Sequence, residues 1–286
     1  MSKQTPLVLS FHHINSSHGT SFEGSYPEDN LSRLANSPDA GDIIYTFDDA
    51  LKCQFDAAFN CLLDHRERVY FFITTSHLEN KIPQHLILRY VRETLNLCGI
   101  NFYDEFFKEI ELLLGINTKN LESIYPVNFL SSYKFYTPSC RAYRYLRDYV
   151  LDKEVFMRLH LELLRKASSK SLETLIGEIM MSADQIKTLA QYFKIGLHSH
   201  SHPTNIDMLD HSLVLNEYKT NHDYIIGLTG LPPTSAAFPC GRYNLAAIEV
   251  LESLGIQDVY LSSPSESYMQ GNLTIHGRLD CNLYAL

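Results

Sequence analysis

The sequence predicts an α/β protein with a parallel sheet or barrel, interrupted by a helical insertion. Short apolar runs alternate with helical periodicity in both terminal parts of the chain, which is the pattern of strand–helix–strand units. The runs are apolar almost throughout, as expected for strands that are covered on both faces. Between the two parts, residues 78–179 show helical periodicity only, which indicates an insertion.

The N-terminal part supplies three strands and one helix. Apolar runs at residues 6–11, 42–47 and 69–75 predict the strands. Within residues 50–63 the apolar side chains recur at helical spacing, so this segment predicts the helix that connects the second strand to the third.

The insertion predicts several amphipathic helices. Their periodicity covers residues 84–97, 103–114, 141–150, 152–167 and 171–181. A stretch rich in Tyr, Ser and Pro at 117–139 predicts a loop. We interpret 78–179 as part of the same domain as 1–77 and 180–286.

The alternation of strands and helices resumes after the insertion. Ser182 is a predicted N-cap, strands are predicted at 194–197, 235–238, 258–261 and 273–276, and helices at 210–228 and 245–254. Polar residues follow these and the earlier strands: His12, Asp48, Asp49, His198, His202, Cys240 and His276. Since parallel α/β folds place their sites at the carboxyl ends of the strands, these residues predict the site.

Charge and composition exclude several classes of protein. The chain has 24 Lys and Arg against 33 Asp and Glu, a net charge of −9, which argues against a nucleic-acid binder. No apolar run reaches the roughly 18 residues of a membrane helix. The N-terminus lacks the pattern of a signal peptide, and the six cysteines form no C-x-x-C pair. We therefore expect reduced thiols and a cytoplasmic location.

Two neighbouring carboxylates, Asp48 and Asp49, end the second predicted strand. Adjacent strand residues point to opposite faces, so one carboxylate could bind a metal while the other faces a substrate. Taken alone, capping of the following helix is the simpler interpretation.

A second group is the run of His198, His200 and His202, which follows a short strand. Pro203 disfavours α conformation at the preceding residue, which predicts a loop at the strand end. Two imidazoles and one carboxylate would bind zinc or a similar metal and leave one coordination position open. The alternative is a His-rich polar turn, and His200 is expected to point away from the other two.

A third group is the turn Pro239-Cys240-Gly241, which also follows a strand. Such a turn can present backbone N–H groups to an oxyanion.

These three groups, in this order, resemble the polysaccharide deacetylase family, also called the NodB-homology or carbohydrate esterase family 4. Its T-F-D-D-[GA] motif matches residues 46–50 and its H-[ST]-x-x-H motif matches 198–202. Its Pro-aromatic-Gly turn is matched loosely by 239–241, and the opening around His12 resembles one branch of the family. The resemblance covers about 1–77 and 180–286.

The resemblance implies a distorted (β/α) barrel of about seven strands and a bound divalent metal, Zn²⁺ first, with Co²⁺ or Ni²⁺ as alternatives. It implies roles for individual residues: Asp49, His198 and His202 as metal ligands, Asp48 as general base, His276 as general acid, and Pro239, Cys240, Gly241 and His12 in oxyanion or substrate binding.

The sequence departs from the family in three places. Ala237 stands where the family often has an Arg that orients the catalytic Asp, and the family's Asp–Trp motif is missing because the chain has no Trp. The late His motif at His276 is only approximate. Arg278 and Asp280 are expected to form a solvated pair near the mouth of the site.

The resemblance predicts a metal-dependent hydrolase that removes an acetyl group, with an N-acetyl group favoured, from a carbohydrate or a sugar-linked intermediate. An acetylated sugar is thus the expected partner, with no nucleic acid and no membrane span, while the oligomeric state is left open. Two alternatives remain: a metal-dependent amidohydrolase acting on a small non-sugar amide, and a non-catalytic glycan-binding relative.

Overall fold

The computed structural model describes residues 6–15, 25–81, 83–131 and 136–284. The chain divides into two compact units, Met1–Pro83 with Ser171–Leu286, and Gln84–Lys170. The first unit contains the sheet and the predicted site residues, and the second unit is helical.

Strands in the described ranges form one large sheet and one small one. Their bounds are β1 Leu7–Phe11, β2 Ile14–Asn15, β3 Tyr26–Pro27, β4 Ile43–Asp48, β5 Val69–Ile73, β6 Lys194–Leu197, β7 Ser235–Ala237, β8 Asp258–Tyr260, β9 Tyr268–Gln270, β10 Leu273–His276 and β11 Leu279–Asp280. The large sheet has nine strands in the order β11-β1-β4-β5-β6-β7-β8-β10-β9, and β2 pairs with β3. Each neighbouring pair in the large sheet is parallel except β10 with β9.

The large sheet curls towards a barrel. Strand β10 lies next to one edge and β11 forms the other edge, yet only Gly277 and Arg278 separate them along the chain. Three peptide steps reach about 11 Å at most, so the two sides of the sheet must approach each other. The predicted barrel is thereby confirmed. The seven predicted strands are present, and β9 and β11 are short additions.

Side-chain alternation separates two faces of the sheet. On β4, Tyr45 and Phe47 belong to one face, where they stack against the Phe11 ring. Ile44 belongs to the opposite face and packs against a buried cluster of Val8, Phe72, Ala237 and Tyr260. Because the side-chain period of a strand is two, Thr46 and Asp48 share the inner face with Ile44.

One glycine in β6 permits this inner packing. A Cβ on Gly196 would lie 2.7 Å from the Phe72 ring and 2.7 Å from the Ser235 carbonyl oxygen. A larger residue here would clash with the buried Phe72 ring and with the backbone of β7, so the close packing of β5, β6 and β7 requires a glycine at this position.

The described helices are α1 Glu28–Ala35, α2 Lys52–Cys61, α3 Gln84–Leu97, α4 Phe102–Leu114, α5 Pro138–Tyr145, α6 Lys153–Ala167, α7 Leu172–Ile179, α8 Ala183–Leu189, α9 His211–Thr229 and α10 Leu245–Ser253. Helices α3 to α6 form the second unit, whose core is aromatic. There the Tyr143 ring meets Phe102 and Phe106 at centroid distances of 5.4 and 4.9 Å. None of the helices in the described ranges has the length and apolar character to cross a bilayer.

Candidate metal centre

Three side chains from two strand ends meet at the carboxyl edge of the sheet. Asp49 follows β4, and His198 and His202 follow β6. The Asp49 Oδ1 atom lies 3.5 Å from His198 Nε2 and 3.7 Å from His202 Nε2. All three residues are buried, and one ligand atom from each lies within 4.8 Å of the others.

The spacing of these atoms fits one metal ion. Ligand atoms at about 2.1 Å from a tetrahedral metal lie about 3.4 Å from each other, close to the two observed distances. His198 Nδ1 lies 2.8 Å from the Ala237 carbonyl oxygen and donates to it, which makes Nε2, on the Asp49 side, the ring nitrogen that can bind a metal. An oxygen and two imidazole nitrogens form a set that suits zinc and its neighbours among the transition metals.

Unusual backbone conformation is concentrated at the three motifs. In the described residues, positive φ outside glycine occurs at seven positions, and five of these lie here: Asp49 (80°), Ala50 (61°), Ser199 (60°), His202 (54°) and Cys240 (55°). Such φ values are disfavoured for residues with a Cβ and cluster at functional sites. At Asp49 the turn breaks the strand alternation, so that both Asp48 and Asp49 approach the imidazole of His198.

Asp48 is held by an arginine that the sequence interpretation assigned wrongly. Arg278 donates from Nη1 to Asp48 Oδ1 and from Nη2 to Oδ2, both at 2.7 Å. Its Nε donates to the Leu261 carbonyl oxygen at 2.6 Å, and the residue is 1% exposed. The prediction of a solvated Arg278–Asp280 pair is therefore wrong. The Asp280 carboxylate instead accepts the Asn282 N–H at 2.8 Å.

The guanidinium of Arg278 orients the Asp48 carboxylate, which is the role expected of the missing motif arginine. Ala237 occupies the expected position on β7, whereas Arg278 reaches Asp48 from the short link between β10 and β11. The sequence contains one signal for this role. Arg278 lies two residues after the end of a predicted strand, and that strand ends in a polar residue, His276. Its partner was not predictable, because the contact depends on how far the sheet curls.

The buried charges of the site shift the pKa values of Asp48 and His198. Burial raises the pKa of Asp48, but Arg278, His198 and His12 outweigh it, so the pKa lies below its usual value. Burial lowers the pKa of His198, but the carboxylates of Asp48 and Asp49 outweigh it and raise the pKa. The buried site contains two carboxylates, Asp48 and Asp49, and one guanidinium, so with neutral imidazoles it favours binding of a further cation.

Of the two histidines predicted near the substrate, His12 lies beside the base. His12 Nε2 is 3.8 Å from Asp48 Oδ2, and its side chain is 37% exposed. Gln54, which is buried on α2, donates from Nε2 to the carbonyl oxygens of His12 (2.7 Å) and Asp48 (2.6 Å) and so ties the two residues together.

His276 has other partners. Its Nε2 lies 2.8 Å from Asp258 Oδ1, its Nδ1 lies 3.0 Å from Ser267 Oγ, and its ring stacks on Tyr260 at 4.9 Å. Three strand spacings separate β10 from β6, about 14 Å along the sheet at roughly 4.8 Å each. The role of His276 as acid stays a prediction.

The turn after β7 has one glycine at which any side chain would be strained. Gly241 has a φ of +67°, and a Cβ there would lie 2.9 Å from the Ser262 nitrogen. The Gly241 N–H donates to the Phe238 carbonyl oxygen at 2.9 Å, so it is not directed to a substrate. Pro239 is buried and Cys240 is exposed. The oxyanion role of the Cys240 N–H stays a prediction.

Comparison with models of protein families gives a match to part of the chain. The model of the polysaccharide deacetylase family matches residues 149–259, which include His198 and His202 but not the Asp48-Asp49 pair. No curated protein matches the sequence.

Several solved structures share the fold. The Streptococcus pyogenes deacetylase PplD, solved with acetate, has a TM-score of 0.52 at 13% identity, over 98% of this chain and 95% of that one. A de-N-acetylase from Aggregatibacter actinomycetemcomitans has a TM-score of 0.52 at 11% identity, over 98% and 96%. A putative polysaccharide deacetylase from Bacillus anthracis has a TM-score of 0.51 at 12% identity, over 97% and 65%.

The family match, on a fold that these structures share, defines the class of the protein as a carbohydrate deacetylase and therefore a hydrolase. The resemblance that the motifs predict is confirmed: residues 149–259 match the model of the polysaccharide deacetylase family, on a fold that the solved deacetylase structures share.

Proposed function

We propose that this chain removes N-acetyl groups from a sugar polymer with the help of a divalent metal held by Asp49, His198 and His202. The observation that carries the proposal is the pair of distances from Asp49 Oδ1 to the two imidazoles, 3.5 and 3.7 Å, next to a second buried carboxylate, Asp48. A binding protein would need the metal ligands but not the second carboxylate, which is a reason to propose catalysis.

The residues around the proposed metal have separate roles in amide hydrolysis. The chemistry that such an ion supplies is Lewis acidity toward the acyl carbonyl and the attacking water. Asp48 accepts a proton from that water as its oxygen bonds to the carbonyl carbon. Arg278 occupies one lone pair on each Asp48 oxygen, so each oxygen keeps another for the proton. The C–N bond then breaks, and the departing nitrogen takes up a proton.

We propose His12 as the donor of that second proton. It lies 3.8 Å from the carboxylate that receives the first proton, and its partial exposure gives it access to a substrate. Proton transfer by a positioned histidine contributes about 10²–10⁴-fold to a rate.

Substitution of His12 by asparagine should therefore lower kcat by about 10²-fold or more, without loss of metal. The matched variant His276→Asn should keep kcat within a few fold, because the Asp258 and Ser267 side chains hold the His276 ring. Steady-state rates of both variants on one acetylated oligosaccharide decide between them. A large loss in His276→Asn with a normal rate in His12→Asn would return the acid role to His276.

The proposed function is tested by acetate release from the metal-loaded protein. We expect release from N-acetylated oligosaccharides, abolished by a chelator and restored by Zn²⁺, Co²⁺ or Ni²⁺. A panel with O-acetylated sugars and small non-sugar amides measures the selectivity. Release that persists without metal, or no release from any glycan by the loaded protein, contradicts the proposal.

A further inference from the structure

We propose that helix α9 acts as a splint that fixes the metal-binding loop His198–His202 through three polar side chains: Glu217, Asn221 and Tyr224. The proposal rests on the proposed metal site and adds residues that position its ligands. The three side chains recur at spacings of four and three, so they lie on one face of the helix.

Asn221 fixes the first ligand. Its side chain is fully buried, and its Oδ1 accepts the His198 N–H at 3.1 Å. Its Nδ2 donates to the Ile73 carbonyl oxygen at 2.9 Å and to Thr75 Oγ1 at 3.1 Å. The side-chain amide of Asn221 thus connects the end of β5 to His198, the first residue of the loop. We infer that it fixes the position of the His198 backbone relative to the sheet.

Glu217 fixes the middle of the loop. Its Oε2 accepts the Ser201 N–H at 2.8 Å, and its Oε1 accepts the Ser201 hydroxyl at 2.6 Å. Ser201 lies between Ser199 and His202, whose φ values of 60° and 54° are disfavoured for residues with a Cβ. Hydrogen bonds to a charged acceptor are among the stronger ones, so this pair offsets part of the backbone strain that directs His202 to the metal.

Tyr224 fixes the residue that is not a ligand. Its ring stacks on His200 with centroids 5.8 Å apart, and its hydroxyl donates to Glu79 Oε1 at 2.5 Å. The Nδ1 of His200 lies 2.9 Å from Thr75 Oγ1, the same oxygen that Asn221 contacts. His200 is therefore held against α9 while His198 and His202 turn to Asp49.

These contacts organise the ligands before metal binds. Partners behind metal ligands typically change metal affinity by about 10–100-fold when they are removed. A splint should behave in this way, whereas a helix that only packs against the sheet should change stability without changing the affinity of the folded protein.

The experiment measures Co²⁺ binding by the purified chain, by competition with a chelator and by the absorption spectrum of the bound ion. We expect Asn221→Ala and Glu217→Ala to weaken Co²⁺ binding by about 10-fold or more and to alter the spectrum. Glu217→Gln, which keeps one acceptor for the Ser201 N–H, should recover part of the affinity.

Two controls lie on the same helix. Lys219→Ala removes the exposed ion pair with Asp223 on another face, and Ile225→Val trims a buried side chain one turn from Asn221. Both should bind Co²⁺ as the unchanged chain does, although Ile225→Val should unfold more easily in urea. If Asn221→Ala does not fold, the half-exposed Glu217 variants decide.

Wild-type affinity and spectrum in the Asn221 and Glu217 variants would overturn the proposal, even if their unfolding free energies fell. An unchanged chain that binds no Co²⁺ would overturn both the metal site and the splint. Tight Co²⁺ binding without release of acetate from any substrate would refute only the proposed function, and the variants would still decide on the splint.

Discussion

Exchange of Asp48 for asparagine should lower kcat by about 10²–10⁴-fold and leave one metal ion bound per chain. A carboxamide cannot take a proton from water at neutral pH, so the step assigned to Asp48 is lost. The metal stays because the three proposed ligand atoms belong to Asp49, His198 and His202. Rates of acetate release and metal content, measured on the same preparation, check the two parts of this expectation.

The neighbouring residue provides the matched control. Asp49→Asn changes the same chemical group one position along the chain, but it removes a charged ligand, so metal content should fall together with the rate. A loss of metal in Asp48→Asn with full retention in Asp49→Asn would exchange the roles of the two residues. An unchanged rate in Asp48→Asn would remove the proposed base.

The meeting of Asp49 with His198 and His202 could be predicted because the parts of this candidate metal site are local in sequence. Asp48 and Asp49 are adjacent, and His198 and His202 belong to one five-residue motif, so short patterns identify both halves. The strands that carry them, β4 and β6, are apolar runs that end at these residues. The parallel-sheet rule then places both halves at one edge.

What could not be predicted depends on contacts between distant segments. The partner of Arg278 lies 230 residues earlier in the chain, and the contact exists only because the sheet curls. Asn221 gave no signal either, because a single buried amide does not disturb the apolar periodicity of α9. In the helical pattern of the sequence, Asn221 cannot be distinguished from the exposed polar residues of α9.

The ends of helices and strands also differ in whether a local sequence signal predicts them. Helix α5 begins at Pro138, with the Thr137 hydroxyl accepting the Cys140 N–H, whereas periodicity placed the start at residue 141. Thr-Pro is a recognisable start signal that the apolar pattern does not include. Strand β11 has only two residues and pairs with β1, so it has too little sequence for any pattern.

Replacement of Arg278 by methionine should have the largest effect on stability, a loss of about 3–5 kcal/mol in the free energy of unfolding. Methionine fills much of the space but leaves the Asp48 carboxylate, 2% exposed, without its two charged hydrogen bonds. The rate should also fall, because the base is then no longer held in one orientation. Arg278→Lys restores the charge but not the paired donors, so it should recover only part of either quantity.

A double-mutant cycle separates the ion pair from simple packing. If the loss in Arg278→Met comes from the isolated charge on Asp48, then the further change Asp48→Asn should make the protein more stable than Arg278→Met alone, since the carboxamide is neutral. Urea unfolding of the four proteins measures the coupling. Additive losses would mean that Arg278 stabilises the barrel through its contacts with Leu261 and Thr46, and that the orientation of Asp48 does not depend on the ion pair.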